Sequence, residues 1–156
     1  MFTSEIAHSN VGLQQPKRND VRKGDAAEAY VIAKLLNWGF DAHDSRRDLP
    51  YDVVVDLGPD FPGRILRIQV KGCSRDKRGT WQFHIGRGNW RSATGTYEHV
   101  ATDYDVLGLV ALSLEKVLFV HGVRKRFRAK TGDFISEGAE LDSWKATLAA
   151  VEAKQI

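Results

Sequence analysis

Asp52, Gln69 and Lys71 have the types and spacing that chemistry needs. Asp52 follows Pro50-Tyr51 at the head of one apolar run, and Gln69-Val70-Lys71 closes another. Residues two apart in a strand share a face, so the Gln69 amide and the Lys71 ammonium project side by side. Next to Asp52 they combine a carboxylate, an oxygen donor and a cation, which suits a divalent metal and a phosphodiester. Hydrolysis of such an ester needs a metal to polarise the phosphate and bind water, and a cation for the charge that develops. Magnesium prefers oxygen ligands and keeps several waters, so few protein groups suffice; manganese is an acceptable substitute. Asp52 supplies the main charge, and the Gln69 side-chain oxygen and the Val70 carbonyl complete the set. Lys71 is placed to contact the scissile phosphate or to hold the attacking water.

Glu28 is the fourth candidate, and its element is a helix expected from about Asn19 to Asn37. Val31, Leu35 and Trp38 recur at helical spacing, with Ala27 one turn earlier. Asn19 or Asp20 is suited to cap the start, and Gly39 to stop the helix. At about 100° per residue, Glu28 points with the apolar face, close to Leu35 and Ile32. Gly24 lies on that face too and leaves room for a ligand. A carboxylate aimed at the core is costly unless a metal, a cation or a hydrogen-bond network meets it. The alternative is that Glu28 sits at the edge of the stripe and reaches solvent.

Strands are expected to follow. Phe40 to Asp44 is short and suited to a sheet edge. Tyr51 to Leu57 contains Val53-Val54-Val55, a β-branched run fit for a central strand. After a turn rich in proline and glycine, Arg64 to Lys71 alternates, with Leu66, Ile68 and Val70 against Ile65, Arg67, Gln69 and Lys71. Trp81, Phe83 and Ile85 alternate with Gln82 and His84. Tyr104 to Leu112 and Lys116 to Val123 read as a hairpin, and Asp142 or Ser143 as the cap of a final helix whose Trp144, Leu148 and Val151 share a face.

Two basic segments are candidates for contact with a polyanion. Residues 86–99 interleave Arg87, Trp90 and Arg91 with Gly, Ser and Thr, a composition suited to a loop entering a groove. Arg124, Lys125, Arg126, Arg128 and Lys130 place five cations in seven residues around Phe127, able to grip phosphates. Cations also blunt exposed strand edges, which is the structural alternative. Asp103 and Asp105 read as residues that open a strand, with added acidity near the site as the alternative. His8, His43, His84, His99 and His121 each lack a second ligand at metal spacing and stay unassigned.

The chain has 156 residues and a net charge of +3, with an isoelectric point near 9.1. The charge is uneven: residues 131–156 carry a net −3, so the excess of cations lies on the part that holds the candidate site. The length fits one core, with residues 1–17 as a flexible arm and 18–156 as a single domain. No apolar run approaches the ~20 residues of a membrane span, and the opening residues lack a signal peptide's pattern. Cys73 is the single cysteine, which excludes an intrachain disulfide and suits a reducing cytoplasm. The chain lacks a Gly-x-Ser-x-Gly elbow, a Walker phosphate loop and a dinucleotide-binding turn.

Gly24-(x)3-Glu28, the helix ending Trp38-Gly39-Phe40, Ser45, Pro50-Tyr51-Asp52 and Gln69-Val70-Lys71 resemble, in that order, the PD-(D/E)xK nuclease superfamily. The resemblance spans roughly residues 22–72. It is similar to group I intron-encoded homing endonucleases, some of which use Gln-x-Lys, and over residues 24–52 to archaeal-type Holliday junction resolvases. Two features depart from the common pattern: Tyr51 separates Pro50 from Asp52, and Gln69 stands where most members carry an acid. The resemblance implies a restriction-endonuclease-like α/β fold, a mixed central β-sheet flanked by α-helices. It implies a magnesium-dependent endonuclease acting on double-stranded DNA, with a resolvase or repair nuclease and an inactive DNA-binding module as alternatives. Cutting both strands of a duplex needs two sites, so a homo-oligomer, dimer or tetramer, is expected.

Overall fold

The structure, a computed structural model, describes residues 20–46, 48–86 and 97–154. The expected arm over residues 1–17, the possible cap Asn19, and Arg87, Trp90 and Arg91 lie outside them. Helix α1 (Asp20–Asn37) is followed by strands β1 (Asp41–Asp44), β2 (Val53–Asp56), β3 (Ile65–Cys73) and β4 (Thr80–His84). After residues 87–96, the chain forms β5 (Val106–Ala111), β6 (Lys116–His121), β7 (Arg126–Lys130), α2 (Thr131–Ile135) and α3 (Ala139–Ala153).

Five strands form a mixed sheet in the order β1-β2-β3-β5-β6. β3 pairs in parallel with β5, and the other pairs are antiparallel. β5 reads Val-Leu-Gly-Leu-Val-Ala and is buried at every position, as expected of a strand covered on both faces. On one face, Ala27, Val31 and Leu35 of α1 and Trp144 of α3 pack on Val53, Val55, Ile68, Val70, Val106 and Val110. On the other, β4 and β7 pair as a separate antiparallel ribbon. Its Trp81, Phe83 and Ala129, with Phe134 of α2, cover Leu107, Leu109 and Ala111. The mixed sheet flanked by helices agrees with the expected fold class, and the ribbon supplies a layer that the alternation of β4 alone did not disclose.

Local rules explain several boundaries. Gly39, at φ 90°, ends α1; its N–H donates to the Leu36 carbonyl and the Phe40 N–H to that of Leu35, the paired bonds of a Schellman motif. α3 begins earlier than Asp142 or Ser143, because Gly138 in the left-handed region opens the helix. The Asp142 N–H already donates to the Gly138 carbonyl, and the Ser143 hydroxyl instead donates to the Glu140 carbonyl and receives the Phe119 N–H. Buried Glu140 ties α3 to the rest: it receives the Val117 N–H at 3.0 Å and the Lys34 ammonium at 3.0 Å.

Candidate active site

β2 and β3 bring Asp52, Gln69 and Val70 together because β2 begins where β3 continues. Val53 is opposite Ile68 in the ladder, and the Asp52 N–H donates to the Ile68 carbonyl at 2.9 Å. Beyond that point β3 has no β2 residue beside it, and Asp52's side chain takes the place of the next ladder partner. Its Oδ2 accepts the Val70 N–H at 2.7 Å and the Gln69 Nε2 at 2.6 Å. Ser45 secures the strand head from behind: its N–H donates to the Asp52 carbonyl at 2.8 Å, and its hydroxyl to the Tyr51 carbonyl. The Val70 carbonyl opens to the same edge of β3 as its N–H and also receives the Gln69 Nε2, at 3.2 Å.

Gln69 is buried, and in this arrangement its amide nitrogen, not its oxygen, faces Asp52. A neutral amide thus bridges two acceptors that an acid at this position would repel. A half-turn of the amide presents its oxygen instead, beside the Asp52 carboxylate and the Val70 carbonyl. Those three oxygens are of the hard kind that magnesium takes, so the donor set fits the expected ion. Among the described residues no three acid, histidine or cysteine side chains group closely enough to hold a metal by themselves. Glu28 of α1 stands near enough to feel the charges of both Asp52 and Lys71.

Charges around the centre are strongly coupled. Burial raises the Asp52 carboxyl above its ordinary value, opposed by the Val70 N–H and by the charges of Lys71 and His99. Burial lowers the Lys71 ammonium, while Asp52 and Glu28 pull it back up. Glu28 is pushed up to about 7, first by burial and then by Asp52, Asp25 and Asp44, with Lys71 acting against them. Half-buried Glu28 lines an acidic cleft of about 540 Å3 with Asp25, Asp44, Ser45, Ile32 and Leu36. Gly24 faces open space, as expected: nothing lies within 4 Å of where a Cβ would stand. Gly72 has the opposite role. A Cβ there would meet the Ala27 Cβ at 3.0 Å and the Lys23 carbonyl at 3.4 Å, so its absence lets α1 lie directly on β3.

The basic segment divides. Arg126, Arg128 and Lys130 stand exposed on β7. Arg124 is turned back over the Phe127 ring, 5.8 Å from its centroid, and Lys125 pairs with Glu98 at 2.8 Å. One residue near the site was missed by sequence reasoning. The His99 side chain is 1% exposed, with Nδ1 3.1 Å from Asp103 Oδ2, its ring edge-on to Tyr104, and its Nε2 buried without a partner. His99 and Asp103 are four apart, but the sequence leaves His99 without a second ligand at metal spacing and reads Asp103 as the opening of a strand, so the pair is not announced.

Fold and site together define an α/β domain with a mixed sheet flanked by helices, an architecture similar to that of a homing endonuclease. One solved structure with this likeness is the bacterial homing endonuclease I-Ssp6803I. It shares 18% identity and a TM-score of 0.66 over 89% of this chain and 99% of its own. No protein-family model matches the chain, and no curated protein matches it by sequence.

Proposed function

We propose that this protein is a metal-dependent DNA endonuclease of homing-endonuclease type. The observation that carries the reading is the compact Asp52–Gln69–Val70 unit, with Lys71 beside it, on a fold shared with a bacterial homing endonuclease. Asp52, the Val70 carbonyl and the turned Gln69 amide would hold magnesium, or manganese in its place, and Glu28 would approach directly or through water. When bound, the ion supplies charge for a phosphate oxygen and a water of lowered pKa. Lys71 would donate to the scissile phosphate or orient the water; the neighbouring carboxylates favour its charged form against the cost of burial. Arg126, Arg128 and Lys130 contact the duplex, with Arg124, Lys125, Arg87, Trp90 and Arg91 as further candidates. Two copies would supply the two sites that a double-strand cut needs.

The test is cleavage of supercoiled plasmid and of a synthetic four-way junction with magnesium or manganese. Wild type is expected to nick or linearise the plasmid, and Asp52→Asn and Lys71→Ala to lose cleavage by a factor of at least about 100 while still unfolding in one cooperative thermal transition. Preference for the junction would make the protein a resolvase. The Gln69 amide, neutral where an acid would add charge for a metal and donating to Asp52, favours one second reading, a non-catalytic DNA-binding module. DNA retained, but uncut with either ion even on a duplex chosen by binding selection, would establish it.

A further inference from the structure

We infer that the outer face of the β4–β7 ribbon reads base edges in the major groove of duplex DNA, with Gln82, His84, Arg126 and Arg128 as its reading side chains. The inference rests on the DNA-binding part of the proposed function and not on cleavage. The register places Gln82 opposite Arg128 and His84 opposite Arg126. Side chains alternate across a strand, and Trp81, Phe83 and Ala129 fill the inner face. The four polar residues therefore project outward together, with Thr80 and Lys130 at the ribbon's end. Facing residues on paired strands stand ~4.5–5.5 Å apart, so the four form one compact patch.

Shape, charge and chemistry agree on the occupant. A two-stranded antiparallel ribbon is one of the two elements that fit the major groove, ~12 Å wide. No acidic residue occurs in β4 or β7, which complements a polyanion. Cations alone suffice to hold phosphates, and the patch adds beside its guanidinium an amide, which carries both the donor and the acceptor that a base edge can meet. Arginine matches guanine O6 and N7, glutamine matches adenine N6 and N7, and a histidine donor matches guanine N7. Arg124 and Lys125 of the same segment are tied to Phe127 and Glu98. Among the described residues, by contrast, none engages the side chain of Gln82, His84, Arg126 or Arg128 in a hydrogen bond or ion pair.

The experiment is selection of bound duplexes from a random-sequence library, using the full chain carrying Lys71→Ala so that nothing is cut. Gln82→Ala and Arg128→Ala are then made in that background, with melting curves to show that these outward substitutions keep the fold. Selection of a motif, with discrimination at particular base pairs falling roughly ten- to hundredfold in each variant, is the expected result. Replacing the preferred guanine by 7-deazaguanine should weaken the parent protein and leave Arg128→Ala indifferent. Variants that bind every duplex equally less well, losing only salt dependence, would overturn base reading and leave phosphate contact. No duplex retained at all would overturn this inference together with DNA binding. A selected motif that wild type fails to cut would uphold the ribbon and sink the nuclease.

Discussion

Changing Gln69 to glutamate would set a second carboxylate where an amide now lies 2.6 Å from Asp52. Without a metal the two charges repel and the hydrogen bond to Asp52 is lost, so Gln69→Glu should destabilise the protein in EDTA by about 1–3 kcal/mol. Added magnesium should return more stability to this variant than to wild type, because the ion gains a full charge. Equal magnesium shifts in the two proteins would remove Gln69 from the ion's surroundings. Glu28 gives a pH counterpart. Its carboxyl titrates near 7 rather than 4.5, so the folded chain holds a proton there that the unfolded chain has released. The sign follows: this group's contribution favours folding least above pH 7 and is relieved as pH falls towards 4.5. In EDTA, Glu28→Gln should melt above wild type at pH 8, and the gap should narrow as the pH falls from about 7 towards 4.5. A variant less stable at pH 8 would mean that Glu28 has a compensating partner.

At the scale of elements, the approach of α1 to β3 decides where Glu28 stands. Gly72→Ala places a methyl 3.0 Å from the Ala27 Cβ and 3.2 Å from Leu112 Cδ1, which should cost about 1–3 kcal/mol in urea unfolding. A variant as stable as wild type would show that the helix can lift without penalty. Much of this arrangement was legible beforehand. Val53-Val54-Val55, the alternation through Gln69 and Lys71, and Gly39 are local signals, and each element they announce is present. What escaped is non-local. Nothing near Arg126 announces that it pairs with His84, and a basic run reads alike as a loop or a strand. The start of α3 was placed late because Gly138 opens the helix through its backbone conformation, whereas Asp142 and Ser143 merely look like caps. In the site, the juxtaposition of Asp52 and Gln69–Lys71 was readable, but the direction of the Gln69 amide and the buried His99–Asp103 pair depend on contacts between segments.

For the whole molecule, the cations gathered on residues 1–130 oppose an acidic C-terminal part. DNA binding through the ribbon should weaken steeply with salt, since each phosphate neutralised releases counterions. Arg126→Ala should lower the slope of log affinity against log salt by roughly one if that guanidinium takes a phosphate, and should instead alter preference at one base pair if it reads an edge. Sedimentation at the concentration that linearises plasmid should give a dimer or a tetramer. A monomer that makes concerted double-strand cuts would require each chain to act twice.

The ribbon also sets an order in time. β4 leaves the ribosome well before its partner β7, with β5 and β6 synthesised between them. At ~5–20 residues per second the wait lasts several seconds. Throughout it, the apolar side of β4, Trp81 and Phe83, has no β7 beside it, while Asp52, Gln69 and Lys71 have already been made. The nascent chain should thus hold the parts of its candidate active site before the ribbon is complete, and the seconds between are when a chaperone that shields hydrophobic strands would matter most.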